Sequence, residues 1–233
     1  MKAIALIGAN FVRGQWIVLT IMLAYILGFA GVVSIHEQRS ELLFFLRMEA
    51  LYVLGFGMLI AIPAIQSERK SRRILAVLSK GIHRWQYLGG LLFGCVMIAG
   101  LLCLLVGVAT VLLARQIAIP STGVAPLMLV LFLACSAASA VALFCSVFLH
   151  PFLALGAASL ILLTPFLLQA KGLHPPSALF PVSAVIGIIQ EFTFQSPGRG
   201  LWQIGAAAVV QTVLFWIAAS VIFSRRDVTV TSE

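Results

Sequence analysis

The chain has 233 residues, of which 62% are hydrophobic and only 9% charged, and its mean hydropathy is +1.13. Soluble domains run near 45–50% apolar and about 25% charged, so this composition leaves too little polar surface to cover a water-soluble body. The formal net charge is +8, but Lys and Arg gather at the ends of apolar runs. That arrangement orients a membrane protein and does not form the basic face with interleaved aromatics that nucleic acid requires. Nucleic acid is therefore not expected as a partner, whereas membrane lipid is.

Taken in chain order, Met1–Gln15 carries Ala3, Ile4, Leu6, Ile7 and Phe11 with Lys2 and Arg13. It reads as a short amphipathic helix at the membrane surface. The apolar run after it is too long for a signal sequence, and no small-x-small site follows, so the segment is expected to be retained. The first span is Trp16 to Ile35, because a crossing helix needs about 20 mostly apolar residues. A polar connection with His36, Glu37, Arg39 and Glu41 leads to the second span, about Leu43 to Ile65. Arg47 and Glu49, early in that span, are expected at interface depth. The loop 66–86 follows. The third span runs from about Tyr87 to Ala114 and the fourth from about Ala125 to Leu149. His150-Pro151 forms a tight connection, since proline cannot continue the helical ladder. The fifth span runs from about Phe152 to Gln169 and the sixth from about Ile204 to Phe223. Between them, Lys171–Trp202 holds Pro175, Pro176, Pro181 and Pro197 around a largely apolar stretch. It is expected to form short helices on the outer face.

The expected fold is thus an all-α integral membrane protein: a single transmembrane domain over 1–233 with six spans and an N-terminal surface helix. Helices are required because a lipid-exposed backbone must satisfy its own hydrogen bonds. With both termini inside, the inner segments hold Lys2, Arg13, Arg69, Lys70, Arg72, Arg73, Lys80, Arg84, Arg225 and Arg226. The outer ones hold Arg39, Arg47, Arg115, Lys171 and Arg199. This bias places both ends in the cytoplasm, across the cell inner membrane.

Several chemistries lack their residues. Cys95, Cys103, Cys135 and Cys145 all sit in apolar runs with no CxxC or Cys/His grouping, so neither a metal site nor a disulfide framework is indicated. A rhomboid-type protease would need a G-x-S-x-G serine and a histidine at membrane depth, but His36, His83, His150 and His174 lie at connections. No catalytic residue is expected. Only weakly polar groups were expected in the span centres: Tyr25, Ser136, Ser139, Thr164 and Gln211. An apolar or amphipathic cargo fits them better than an inorganic ion. Tyr25 and Thr164, with the large apolar residues Phe56, Met58 and Phe166, are the candidates for a substrate path. The alternative is that polar groups in spans only bond neighbouring helices.

The loop Gln66–Gln86 reads QSERKSRRILAVLSKGIHRWQ. Ile74, Val77 and Leu78 fall at i, i+3 and i+4, the spacing of one apolar helical stripe. Gly81 is placed as a helix-ending glycine, and Trp85 and Tyr87 mark the membrane interface. One reading is a solvated positive-inside loop touching anionic lipid. The other is a docking element for a cytoplasmic partner.

The segment from Glu68 to Tyr87 resembles that of ABC-2-type transporter permeases, whose pattern is close to ERESGTLELLLSTPVSRWEY. Glu68, Ser71, Leu78, Ser79, Arg84, Trp85 and Tyr87 match it. Arg72-Arg73 replace the family's Gly-Thr pair, Leu75 its second glutamate, and Gly81 its proline. The resemblance implies a permease subunit that pairs with a second permease, identical or not, and binds a separate cytoplasmic ATPase that holds ATP and Mg. It implies that the loop is a coupling helix. On that reading Ile74, Leu75 and Leu78 make apolar contacts with the ATPase or the N-terminal helix, and Glu68, Arg72, Arg73 and Arg84 make polar ones. No G-x-x-x-x-G-K-[ST] phosphate loop occurs in the chain, so no cofactor is expected in it. A haem-exporter-type membrane subunit and a six-helix channel or ion-coupled transporter are the competing readings.

Overall fold

The computed structural model describes residues 2–36, 39–70, 83–170, 180–192, 194 and 200–225. Among them every regular element is a helix: α1 (Lys2–Gly14), α2 (Trp16–His36), α3 (Arg39–Lys70), α4 (Arg84–Gln116), α5 (Val124–Phe148), α6 (Pro151–Ala170), α7 (Pro181–Glu191) and α8 (Leu201–Arg225). Five of these are long and apolar enough to cross a bilayer: Trp16–Ile35, Arg39–Gln66, Arg84–Gln116, Val124–Phe148 and Leu201–Ser224. The helix in the place of the expected fifth span, α6, has 20 residues. Its apolar stretch with described side chains is shorter, Pro151–Pro165.

Helix ends overrun the expected spans. The second was expected to start near Leu43, yet α3 begins at Arg39 and continues to Lys70. Arg84 and Trp85, read as loop, form the first turn of α4. The reason is that only the part of a helix inside hydrocarbon must be apolar, and polar residues beyond it keep the backbone ladder intact. Glu68 therefore belongs to the end of α3. The other expected coupling residues on the loop, Arg72, Arg73, Ile74, Leu75 and Leu78, lie outside the described residues.

Sharp chain reversals have local causes. The His83 backbone N–H donates to Gln86 Oε1 at 3.2 Å, satisfying a donor at the start of α4. Pro151 opens α6, where its missing N–H is one that a helix start leaves unpaired anyway. After α4, Ala118 takes φ 56. The chain turns there, and the Ile119 N–H reaches back to the Ala114 carbonyl at 2.9 Å.

At the centre stands α5, buried along most of its length and packed against α3, α4, α6, α7 and α8. Its middle, Ala134-Cys-Ser-Ala-Ala-Ser-Ala140, is made of small residues that let neighbouring backbones approach. The Ser139 hydroxyl donates across to the Gly57 carbonyl on α3 at 3.2 Å.

The N-terminal helix is not merely laid on a surface. Ile4, Ile7, Gly8, Phe11 and Val12 form one stripe that docks on α4, where Gly90-x-x-x-Gly94 clears the way. A Cβ at Gly90 would stand 2.7 Å from the Ile7 Cβ, and one at Gly94 would stand 2.7 Å from Phe11 Cδ1 and 3.1 Å from the Gly8 carbonyl. Gly90→Ala is therefore expected to push α1 away and cost roughly 1–3 kcal/mol, as overpacking does. Gly28→Ala, where a Cβ meets nothing within 4 Å, should be neutral or stabilising by up to about 1 kcal/mol. Thermal unfolding of the two purified variants in one detergent checks the contrast.

Candidate functional site

The described end of the loop 66–86 is fastened to the end of the chain's last helix. A helix leaves its final carbonyls without partners. At the end of α8, the Arg84 guanidinium supplies them: Nη1 donates to the Phe223 carbonyl at 3.2 Å and to the Ser224 carbonyl at 3.1 Å. The positive charge also complements the negative end of the helix dipole. Two aromatic contacts continue the seam. Trp85 meets Trp216 edge-on with centroids 6.2 Å apart, and Tyr87 stacks on Phe223 at 6.5 Å. These three residues are the R-W-x-Y of the loop pattern. Arg84 was expected to contact a partner, and in the structure it binds α8 carbonyls of its own chain. A cleft of about 420 Å³ opens beside it, lined by His83, Arg84, Trp85, Trp216, Ser220 and Ser224 among others.

The residues expected along a substrate path are not gathered in one place. Met58 is half-buried and lines a cavity of about 200 Å³ between α3, α5, α6 and α7, together with Leu54, Gly55, Ser159, Leu162 and Val182. Thr164 lies on α6, and its hydroxyl donates to the Leu160 carbonyl of its own helix at 2.7 Å. Phe56 is half-buried and packs against the common core. The Phe166 side chain lies outside the described residues. Tyr25 stands apart on α2, 38% exposed, with its ring edge-on to Tyr52 of α3 at 5.2 Å.

Three residues before Tyr52, on the same face of α3, lies a carboxylate. Glu49 is fully buried, and neither carboxylate oxygen has a hydrogen-bond partner. Glu49 lies two residues after Arg47 in the N-terminal part of α3, just ahead of the uncharged apolar run Ala50–Ile65. Among the described residues no group of three or more His, Cys, Asp or Glu could hold a metal ion.

No family model matches this chain, and no curated protein matches it.

The clamp at α8 predicts a local effect. Arg84→Ala removes two charge-assisted hydrogen bonds, worth about 1 kcal/mol at this partly exposed position. Backbone amides in the last two turns of α8 should then exchange with deuterium roughly fivefold faster, while those in the middle of α5 keep wild-type protection. Exchange followed by mass spectrometry checks this.

Proposed function

We propose that this chain is the membrane-spanning permease subunit of an ATP-driven transporter of the ABC-2 type. It exports a hydrophobic or amphipathic substrate and works with a separate ATPase subunit and a second permease. In this reading α6 also crosses the membrane, as the fifth of six spans, both termini are cytoplasmic, and the protein resides in the cell inner membrane.

The observation that carries the reading is mechanical. The loop that resembles the family's coupling segment is continuous with two long helices, α3 ending at Lys70 and α4 beginning at Arg84. A force applied to the loop passes directly into both. Arg84 and its aromatic neighbours extend the same connection to α8. When the ATPase closes on ATP and Mg, the loop is displaced, and α3, α4 and α8 respond as linked rods. The loosely embedded α2, with α3 and α6, shifts against the second permease and changes access to the cargo path. The apolar stripe Ile74, Leu75 and Leu78 seats in the ATPase, and Glu68, Arg72 and Arg73 hold the rim.

The test uses the ATPase that co-purifies with the full chain in mild detergent. ATP hydrolysis by the reconstituted complex should exceed that of the ATPase alone. Leu78→Ala and Glu68→Ala should each lower that stimulation about fivefold or more, as loss of an interface contact above 1 kcal/mol does, with membrane insertion unchanged. Stimulation that is unaltered in both variants would sink the docking role of the loop.

A further inference from the structure

A carboxylate buried without a partner is costly enough to call for a function. Glu49 meets that description: it is 0% exposed and has no hydrogen bond to either oxygen. What stands in front of it is equally specific. Tyr25 and Tyr52 are 38% and 42% exposed and their rings meet edge-on at 5.2 Å, and Tyr52, three residues after Glu49, shares its face of α3. Phe29 and Phe45 extend the same wall, with centroids 5.3 Å apart. The site therefore offers one anionic group behind a set of aromatic faces, in apolar surroundings.

Aromatic faces around a single negative charge form the combination that attracts a bulky organic cation. A metal ion would need more oxygen ligands than this wall supplies. An anion would meet repulsion from Glu49. The seam reaches the protein surface, where Leu23, Tyr25 and Leu27 on α2 and Leu51 and Tyr52 on α3 are exposed.

We propose that Glu49, Tyr25 and Tyr52 form a binding site for a lipophilic monocation, so that the substrate handled by this subunit carries one positive charge on an apolar body. This rests on the proposed transport function for its purpose but not for its chemistry. Arg47 lies two positions earlier on α3 and so projects from another side of that helix. A bound cation would replace the isolated carboxylate with a charge pair.

The experiment measures tetraphenylphosphonium binding to the full chain in phosphatidylcholine nanodiscs by equilibrium dialysis, with empty nanodiscs subtracted. Wild-type protein should bind the cation saturably, and tetraphenylborate, its anionic counterpart, should show no saturable binding. Glu49→Gln keeps the shape and removes the charge, and should weaken binding about tenfold or more, the scale of a lost charge contact. Tyr25→Leu combined with Tyr52→Leu should weaken it roughly threefold to tenfold. Glu49→Asp, which keeps the charge, should bind within a few-fold of wild type, and this separates loss of charge from loss of fold. Absence of saturable cation binding, equal binding by Glu49→Gln, or equal binding of tetraphenylborate would overturn the proposal. Failure of an ATPase to co-purify would leave these measurements untouched and would count only against the coupling mechanism.

Discussion

The rest of the molecule depends on how closely helices can approach α5. Lipid gives apolar helices no hydrophobic reason to associate, so contact must come from close packing and from hydrogen bonds between helices. The chain meets this requirement from both sides of each contact. On α5 the stretch Ala134–Ala140 contains nothing larger than cysteine or serine. Each of three neighbours turns a glycine toward the same helix. A Cβ at Gly57 of α3 would lie 3.2 Å from Ser139 Oγ, one at Gly100 of α4 would lie 3.2 Å from Phe132, and one at Gly205 of α8 would lie 3.2 Å from Leu133. At these distances an added methyl group would need its neighbour to give by a few tenths of an ångström, so the glycines permit the close approach. The Ser139–Gly57 hydrogen bond then fixes the register of α3 against α5.

Around this rigid centre the elements differ in how firmly they are held. The α1 helix is docked through its own glycine contact with α4. Phe194, three residues beyond the end of α7, is tied back to the core as well: the Gly123 N–H at the start of α5 donates to its carbonyl at 3.3 Å, and its side chain is fully buried. By contrast α2 shows most of its apolar surface, with Trp16, Ile17, Ile21, Leu27 and Ile35 all outward. A bilayer or a second subunit is what such a surface suits. The distribution pairs a stiff block of α3, α4, α5 and α8 with a loosely attached α2. The isolated carboxylate of Glu49 sits at the boundary between the two, where movement would expose it.

How much of this could be read in the sequence followed from which physical constraint set each feature. The membrane-crossing helices were legible because the bilayer demands long apolar runs, and α2 appears where Trp16–Ile35 predicts it. The starts and ends of α3 and α4 were not, because polar residues outside hydrocarbon do not stop a helix. The docking of α1 on α4 was carried by the Gly90-x-x-x-Gly94 spacing, which lay in plain view inside an apolar run. It has meaning only once a partner helix is placed across it, as does the stripe Ile4, Ile7, Gly8 and Phe11. The bond from Arg84 to the α8 carbonyls joins residues nearly 140 positions apart, and no local pattern announces such a pairing. Glu49 was visible as a residue, but its burial without a hydrogen-bond partner depends on the helices packed around it. The candidate path residues were chosen by type, Tyr25 and Thr164 as weakly polar and Phe56 and Met58 as large and apolar, and nothing in their spacing required that they meet.

The central claim is that a bundle without a phosphate-binding loop borrows its motor through the segment between α3 and α4. A single-particle reconstruction of the complex extracted from its native membrane addresses this most directly. The expected result is two permease chains side by side, each with six crossings and each with an ATPase body seated against Gln66–Tyr87. A chain that forms a pore with only its own copies, or that carries a partner elsewhere and leaves Gln66–Tyr87 bare, would contradict it.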